Sequence, residues 1–216
     1  MRIQTGEKNW DHFWKSNSAS RFTKKSWSKK RIMHQLAPYL KPGKVVLDAG
    51  SGSGFFSNYF LSMGCTVYSL DYSEDALAIT RRQTNGRCEA YLKEDLLDPE
   101  FGSRYDEKFD LIFTDGLFEH FTKKDQLTIL TNFKRAKNPT GLITTFVPNK
   151  FSWWEVVRPW VMPGIHEEPF TRESLLELHS GMDIVKTGGL NVLPFALSPD
   201  RLLGANFGMI LYCFAR

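Results

Sequence analysis

Val45-Val46-Leu47-Asp48-Ala49-Gly50-Ser51-Gly52-Ser53-Gly54 is a short apolar, β-rich run that passes through one acid into three glycines at alternate positions. Phe55 to Met63 then read as a helix that stops at Gly64. A strand, a glycine turn and a helix in direct succession form the entry unit of a parallel α/β sheet. Glycine is wanted in that turn because the backbone must bend sharply and lie against a ligand with no side chain in the way.

Downstream, short apolar runs alternate with helical segments. Thr66 to Leu70, Ala90 to Lys93, Leu111 to Thr114 and Gly141 to Val147 read as strands two to five. Ser73 is a good helix cap, with Glu74 and Asp75 in the first turn, and that helix fades at Asn85-Gly86. Thr122-Lys123-Lys124-Asp125 opens a helix through Leu127, Leu130 and Phe133. Ile184 to Thr187 and Met209 to Phe214 are two further strands with no clear helical period between them, so an antiparallel pair is expected at the sheet's end. The pattern predicts a doubly wound, mostly parallel seven-stranded sheet with an antiparallel last strand and helices on both faces.

Acids recur where these strands end. Asp71 closes the second strand, Asp95 follows the third in Lys93-Glu94-Asp95-Leu96, and Asp115 precedes Gly116 after the fourth. Ligands in such sheets bind beyond the carboxyl ends of the strands, so Asp48, Asp71, Asp95 and Asp115 should converge on one crevice. An acid at Asp71 can accept the hydroxyls of an adenosine ribose. A nicotinamide or flavin site would carry G-x-G-x-x-G over a pyrophosphate. This loop is G-x-G-x-G, and Asp48 beside it would repel phosphate while suiting a cationic cofactor.

From Val45 to Pro148 the chain resembles the class I S-adenosylmethionine-dependent methyltransferases, in particular those acting on small molecules, with a looser match in the final strand pair. The family's Asp-x-Gly-x-Gly-x-Gly motif is matched by Asp48, Gly50, Gly52 and Gly54. Its acid at the end of strand two is matched by Asp71, its adenine-reading pair by Asp95-Leu96, and its Glu-His after strand four by Glu119-His120. One departure is Asn138-Pro139-Thr140-Gly141 in place of a Pro-Gly-Gly turn. The resemblance implies a cofactor site of Asp48, Gly50, Ser51, Gly52, Gly54, Asp71, Tyr72, Asp95, Leu96, Asp115 and Gly116, holding S-adenosyl-L-methionine. His120, His166 and Glu167 are the candidate catalytic groups, His120 because it follows strand four and titrates near neutrality.

The remaining features organise the chain. Residues 44–216 read as the methyltransferase domain, with a substrate or lid segment inserted at about 150–170 that holds Trp153, Trp154, Trp160, His166, Glu167 and Glu168. Residues 1–43 read as a basic, aromatic and helical extension, with Trp10, Phe13 and Trp14 as a second part of the lid and Ile32, Leu36 and Leu40 on a buried stripe. Of the formal net charge of +4, residues 1–44 supply +9 and the remainder −5. That arm could meet nucleic acid, yet no RNA-binding module is recognisable, and a small-molecule acceptor is expected over RNA or protein. A binding protein that keeps the fold without catalysis is the third reading. No His-x-x-x-His or comparable cluster is present, so no metal is expected. Cys65, Cys88 and Cys213 fit neither a disulfide framework nor a zinc site. With a polar Met1 to Asn9 and no bilayer-length apolar run, a cytoplasmic setting is expected.

Overall fold

The computed structural model describes Trp14, residues 23–161 and residues 167–216. Within them, α1 (Trp27–Leu36) and a 3-10 turn (Ala37–Tyr39) precede β1 (Val45–Ala49), α2 (Phe55–Ser62), β2 (Thr66–Leu70), α3 (Glu74–Gln83) and β3 (Ala90–Leu92). There follow α4 (Phe101–Arg104), β4 (Phe109–Asp115), a 3-10 turn (Phe118–His120), α5 (Lys123–Ala136) and β5 (Lys137–Pro148). The chain closes through α6 (Trp154–Val161), α7 (Arg172–Leu178), β6 (Ile184–Leu190), α8 (Asp200–Phe207) and β7 (Ile210–Ala215).

The strands form a seven-stranded sheet in the order β3-β2-β1-β4-β5-β7-β6. The pairs from β3 to β5 are parallel, and β7 runs antiparallel to both β5 and β6. The strand order reverses between β1 and β4, which opens a crevice at their carboxyl ends. This is the expected architecture. One link differs: α8 lies between β6 and β7, where no helix was expected. Pro199 at its N-cap offers no side-chain bond, and Leu202 and Leu203 point outward, so neither a cap nor an apolar stripe announces it.

Alternation along each strand sends successive side chains to opposite faces. Val46 and Phe113 join one core with Ile32 and Leu36 of α1 and Phe56 and Phe60 of α2. Leu47 and Ile112 join the other with Ile129, Leu130 and Phe133 of α5. On α5 those residues and Ala136 make one apolar stripe, and the Thr122 hydroxyl accepts from the Asp125 amide to start the helix. Ser73 caps α3 in the same way, with Glu74 and Asp75 in its first turn and Arg81 and Arg82 in its last, matching the helix dipole at both ends.

Phe113 is the centre of the first core. Its ring lies 4.7 Å from Phe56, 5.3 Å from Phe60 and 5.7 Å from Phe146, and it is 1% exposed. Truncation there leaves a cavity between the sheet and α2. Phe113→Ala should cost about 3–5 kcal/mol in urea unfolding. Leu127→Ala, on the outer face of α5, should stay within about 0.5 kcal/mol.

Candidate functional site

The loop after β1 is held by the end of β2. The amides of Gly50 and Ser51 both donate to the Leu70 carbonyl, at 2.8 and 2.9 Å. The Gly52 amide donates to Asp71 Oδ2 at 2.8 Å, and the Ser73 amide to Asp71 Oδ1 at 2.9 Å. Three successive loop amides therefore point into the protein, whereas a phosphate cradle would turn them toward the ligand. Gly54 caps α2 in the left-handed conformation (φ 71°), and a Cβ there would stand 2.6 Å from Thr80 Cα, so its glycine serves the packing of α2 on α3. Gly52 (φ 49°) lies against the Trp14 indole, which a Cβ would meet at 2.7 Å.

Beyond these strand ends lies a cavity of about 450 Å³. Asp48, Gly50, Ser51, Gly52, Asp71, Tyr72, Asp95, Leu96, Asp115 and Gly116 all line it. Gly54 does not, and its role is the packing just described. Asp71 uses both oxygens on backbone amides, so a ribose would meet the remaining lone pairs of an anchored carboxylate. Asp95 is exposed and accepts from the Leu97 amide at 2.9 Å, while Leu96 is buried as the apolar wall beside it.

Two further acids sit deep in the cavity. Asp48 is 2% exposed, accepts from the Ser57 hydroxyl at 2.5 Å, and is pushed up to about 7 by burial, against the pull of Ser57. Burial pushes Asp115 up to about 6, opposed by Lys29. Lys29, which sequence reasoning passed over, reaches in from α1 with its ammonium 4.2 Å from the Phe55 ring centre, and burial lowers it to about 8. Among the described residues, the two desolvated carboxylates have one partly desolvated ammonium, facing Asp115, to balance them. A sulfonium with an adjacent ammonium supplies further positive charge.

At the other end of the cavity the turn after β4 meets the segment following α6. The Glu168 amide donates to the Glu119 carbonyl at 2.8 Å, which seats Glu167 beside Glu119 and His120. Gln126 fixes that turn by donating to the carbonyls of Phe118 (2.9 Å) and Phe121 (3.0 Å). Burial, and then Glu167, hold Glu119 well above the usual carboxylate range. Burial likewise raises Glu167 to about 7, although Arg158 Nε stands 3.4 Å from its Oε2. Two of the three candidate catalytic residues, His120 and Glu167, are thus brought together; His166 lies outside the described residues. Glu119, Glu155 and Arg158 belong to the same cluster. The i,i+3 spacing of Glu155 and Arg158 was the sequence signal for that pair.

The tryptophans divide. Trp14 and Trp154 line the cavity. Trp153 packs edge-on against Trp154 and donates to the Asn191 carbonyl at 3.4 Å, while Trp160 on α6 is 77% exposed and faces away from the cavity. Trp10 and Phe13 lie outside the described residues.

The methyltransferase-domain family model matches residues 46–141. The chain is 32% identical over 124 residues to a malonyl-[acyl-carrier protein] O-methyltransferase of Hamiltonella defensa, covering 57% of this chain and 45% of that one. It is 31% identical over 106 residues to a ubiquinone biosynthesis O-methyltransferase of Actinobacillus pleuropneumoniae, covering 47% and 44%. The chain thus spans less than half the length of these two curated relatives. Among solved structures, the N-methyltransferase NodS of Bradyrhizobium japonicum, in complex with S-adenosyl-L-homocysteine, superposes with a TM-score of 0.69 at 14% identity, over 97% of each chain, which shows a common fold.

The charge state of Asp48 carries a pH dependence. Its raised carboxyl is neutral below about 7, and a cation favours the ionised form, so binding draws the proton off. S-adenosylmethionine affinity should fall as the pH drops below about 7, by up to about tenfold per unit. Calorimetry should find the slope flattened in Asp48→Asn, and smaller for S-adenosylhomocysteine, which lacks the sulfonium charge. Equal slopes for both ligands would remove Asp48 from recognition of the sulfonium charge.

Proposed function

We propose that this chain is a class I S-adenosylmethionine-dependent methyltransferase, as the methyltransferase-domain match over residues 46–141 supports, and that it transfers a methyl group to a small-molecule acceptor. The carrying observation is that one cavity joins the strand-end acids to the Glu119–His120–Glu167 group, so cofactor and acceptor compartments share a wall. The residues fit S-adenosylmethionine: Asp71 and Tyr72 suit a ribose, Leu96 an adenine face, and Asp48 and Asp115 a cationic end. When bound, the cofactor supplies a methyl group already activated on sulfur. The protein's part is then orientation and the exclusion of water. Trp14 and Trp154 close the cavity from two parts of the chain, and Glu119, His120 and Glu167 orient the acceptor and manage its proton.

Cavity size and charge placement support a small acceptor. About 450 Å³ matches the volume of metabolite sites. Three cations of the basic arm are engaged within the fold. Lys29 points into the cavity, Lys44 pairs with Asp110 at 2.7 Å, and Arg31 pairs with Asp200 at 3.1 Å and donates to Asn191. These three are not available to an outward basic stripe of the kind nucleic acid needs, whereas Lys24, Lys25, Lys30 and Lys41 are exposed. The O-methyltransferase relatives favour an oxygen acceptor. No helix among the described residues is long and apolar enough to cross a membrane.

Cofactor turnover against a panel of hydroxylated and amino metabolites, beside an RNA panel, tests this reading. Turnover is expected with a small acceptor and not with RNA, and selective RNA methylation would overturn it. His120→Ala and Glu167→Gln should each lower kcat about 10²- to 10⁴-fold while cofactor affinity stays near normal. Normal turnover in both variants would move the acceptor site elsewhere.

A further inference from the structure

The acceptor end of the cavity holds more buried carboxyl groups than the methyl-transfer reading requires. Among the described residues Glu119 (2% exposed) and Glu167 (7% exposed) each have one buried carboxylate oxygen that accepts no hydrogen bond, as does Glu155 beside them; the Glu167 oxygen has the Arg158 guanidinium 3.4 Å away as an ion-pair partner. Arg158 is the guanidinium set among them, 3.4 Å from both Glu155 and Glu167. Among the described residues, three carboxylates stand against one guanidinium, an excess of two negative charges when all are ionised. Desolvated oxygens without donors are costly, and such sites ordinarily contain their missing partner.

Among the described residues, one imidazole stands with two of these carboxylates. A donor atom from each of Glu119, His120 and Glu167 lies within 4.8 Å of the other two, and all three residues line the cavity. We propose that Glu119, His120 and Glu167 bind a divalent metal cation, whose open coordination positions face the acceptor. Two carboxylates and an imidazole are a donor set that suits manganese, iron or zinc. Bonds of about 2.0–2.2 Å bring neighbouring donors to within about 3.5 Å, and rotation of the two carboxylates supplies the difference. A Cβ at Gly116 would stand 3.4 Å from Glu119 Oε1, in ordinary contact, so the glycine spares the carboxylate a neighbour on that side. The ligands come from the turn after β4 and the segment after α6, so no short-range spacing discloses them.

The ion's role rests on the methyl-transfer reading; its binding does not. A cation there would hold an acceptor through oxygen and ease loss of the hydroxyl proton to water. It selects acceptors with two neighbouring oxygens able to chelate, such as vicinal diols, catechols or hydroxy acids.

The test uses the full chain, freed of metal with a chelator and titrated with Mn²⁺, with free ion followed by electron paramagnetic resonance. One Mn²⁺ per chain is expected, with affinity at least tenfold weaker in Glu119→Gln and Glu167→Gln and unchanged in Glu177→Gln, an exposed acid on α7. Circular dichroism and S-adenosylhomocysteine affinity establish that the variants are folded. A second measurement needs no variant: bound Mn²⁺ should broaden the His120 imidazole resonances of the wild-type protein. Absence of saturable Mn²⁺ uptake up to millimolar concentration, or uptake that leaves the His120 signals sharp, would overturn the proposal. Mn²⁺ binding without any S-adenosylhomocysteine binding would instead sink the methyl-transfer reading and leave the metal site standing.

Discussion

The carboxylate of Asp71 ties the glycine loop of β1 to the end of β2, and the geometry of the cavity depends on that tie. Its two oxygens take the amides of Gly52 and Ser73, while the neighbouring Leu70 carbonyl takes those of Gly50 and Ser51. With its Gly50, Ser51 and Gly52 amides satisfied inside the protein, this stretch of the loop offers a ligand no anion nest. Charge selection then falls to side chains, and those at the strand ends are acidic. A phosphate-bearing cofactor would meet repulsion from Asp48 and Asp115, whereas a sulfonium with an ammonium group meets the carboxylates it needs.

The same cavity is polarised along its length. The strand-end acids at one end are balanced in part by Lys29, which α1 delivers from outside the sheet. At the other end Arg158 delivers the balance from α6. Both cations come from segments flanking the parallel sheet, not from the sheet itself. The sheet thus builds a crevice of one charge, and the added helices trim that charge locally. Variation in α1 and α6 can retune the acceptor end without disturbing the hydrogen bonds that shape the loop.

Much of this was legible in the sequence because it is local. The strand, glycine turn and helix from Val45 to Met63 announce themselves by composition and period, and Ser73 and Thr122 mark helix starts by their capping chemistry. Helix α8 was not legible, since it lacks a side-chain cap and turns Leu202 and Leu203 to solvent. The strand-end acids were legible as a register, but the use of Asp71 on backbone amides was not, because it depends on how the loop folds back. The meeting of Glu119 with Glu167 was the least accessible. It rests on one backbone bond, Glu168 amide to Glu119 carbonyl, between segments far apart in the chain.

The central claim is that the β1 loop and Asp71 form an S-adenosyl cofactor site. Calorimetric titration of S-adenosylhomocysteine into the wild-type chain and into folded Asp71→Ala tests it most directly. One site per chain is expected, weakened by about 2–3 kcal/mol in the variant as loop amides and ribose lose their acceptor. No binding to the wild type, or equal affinity in the two proteins, would contradict it.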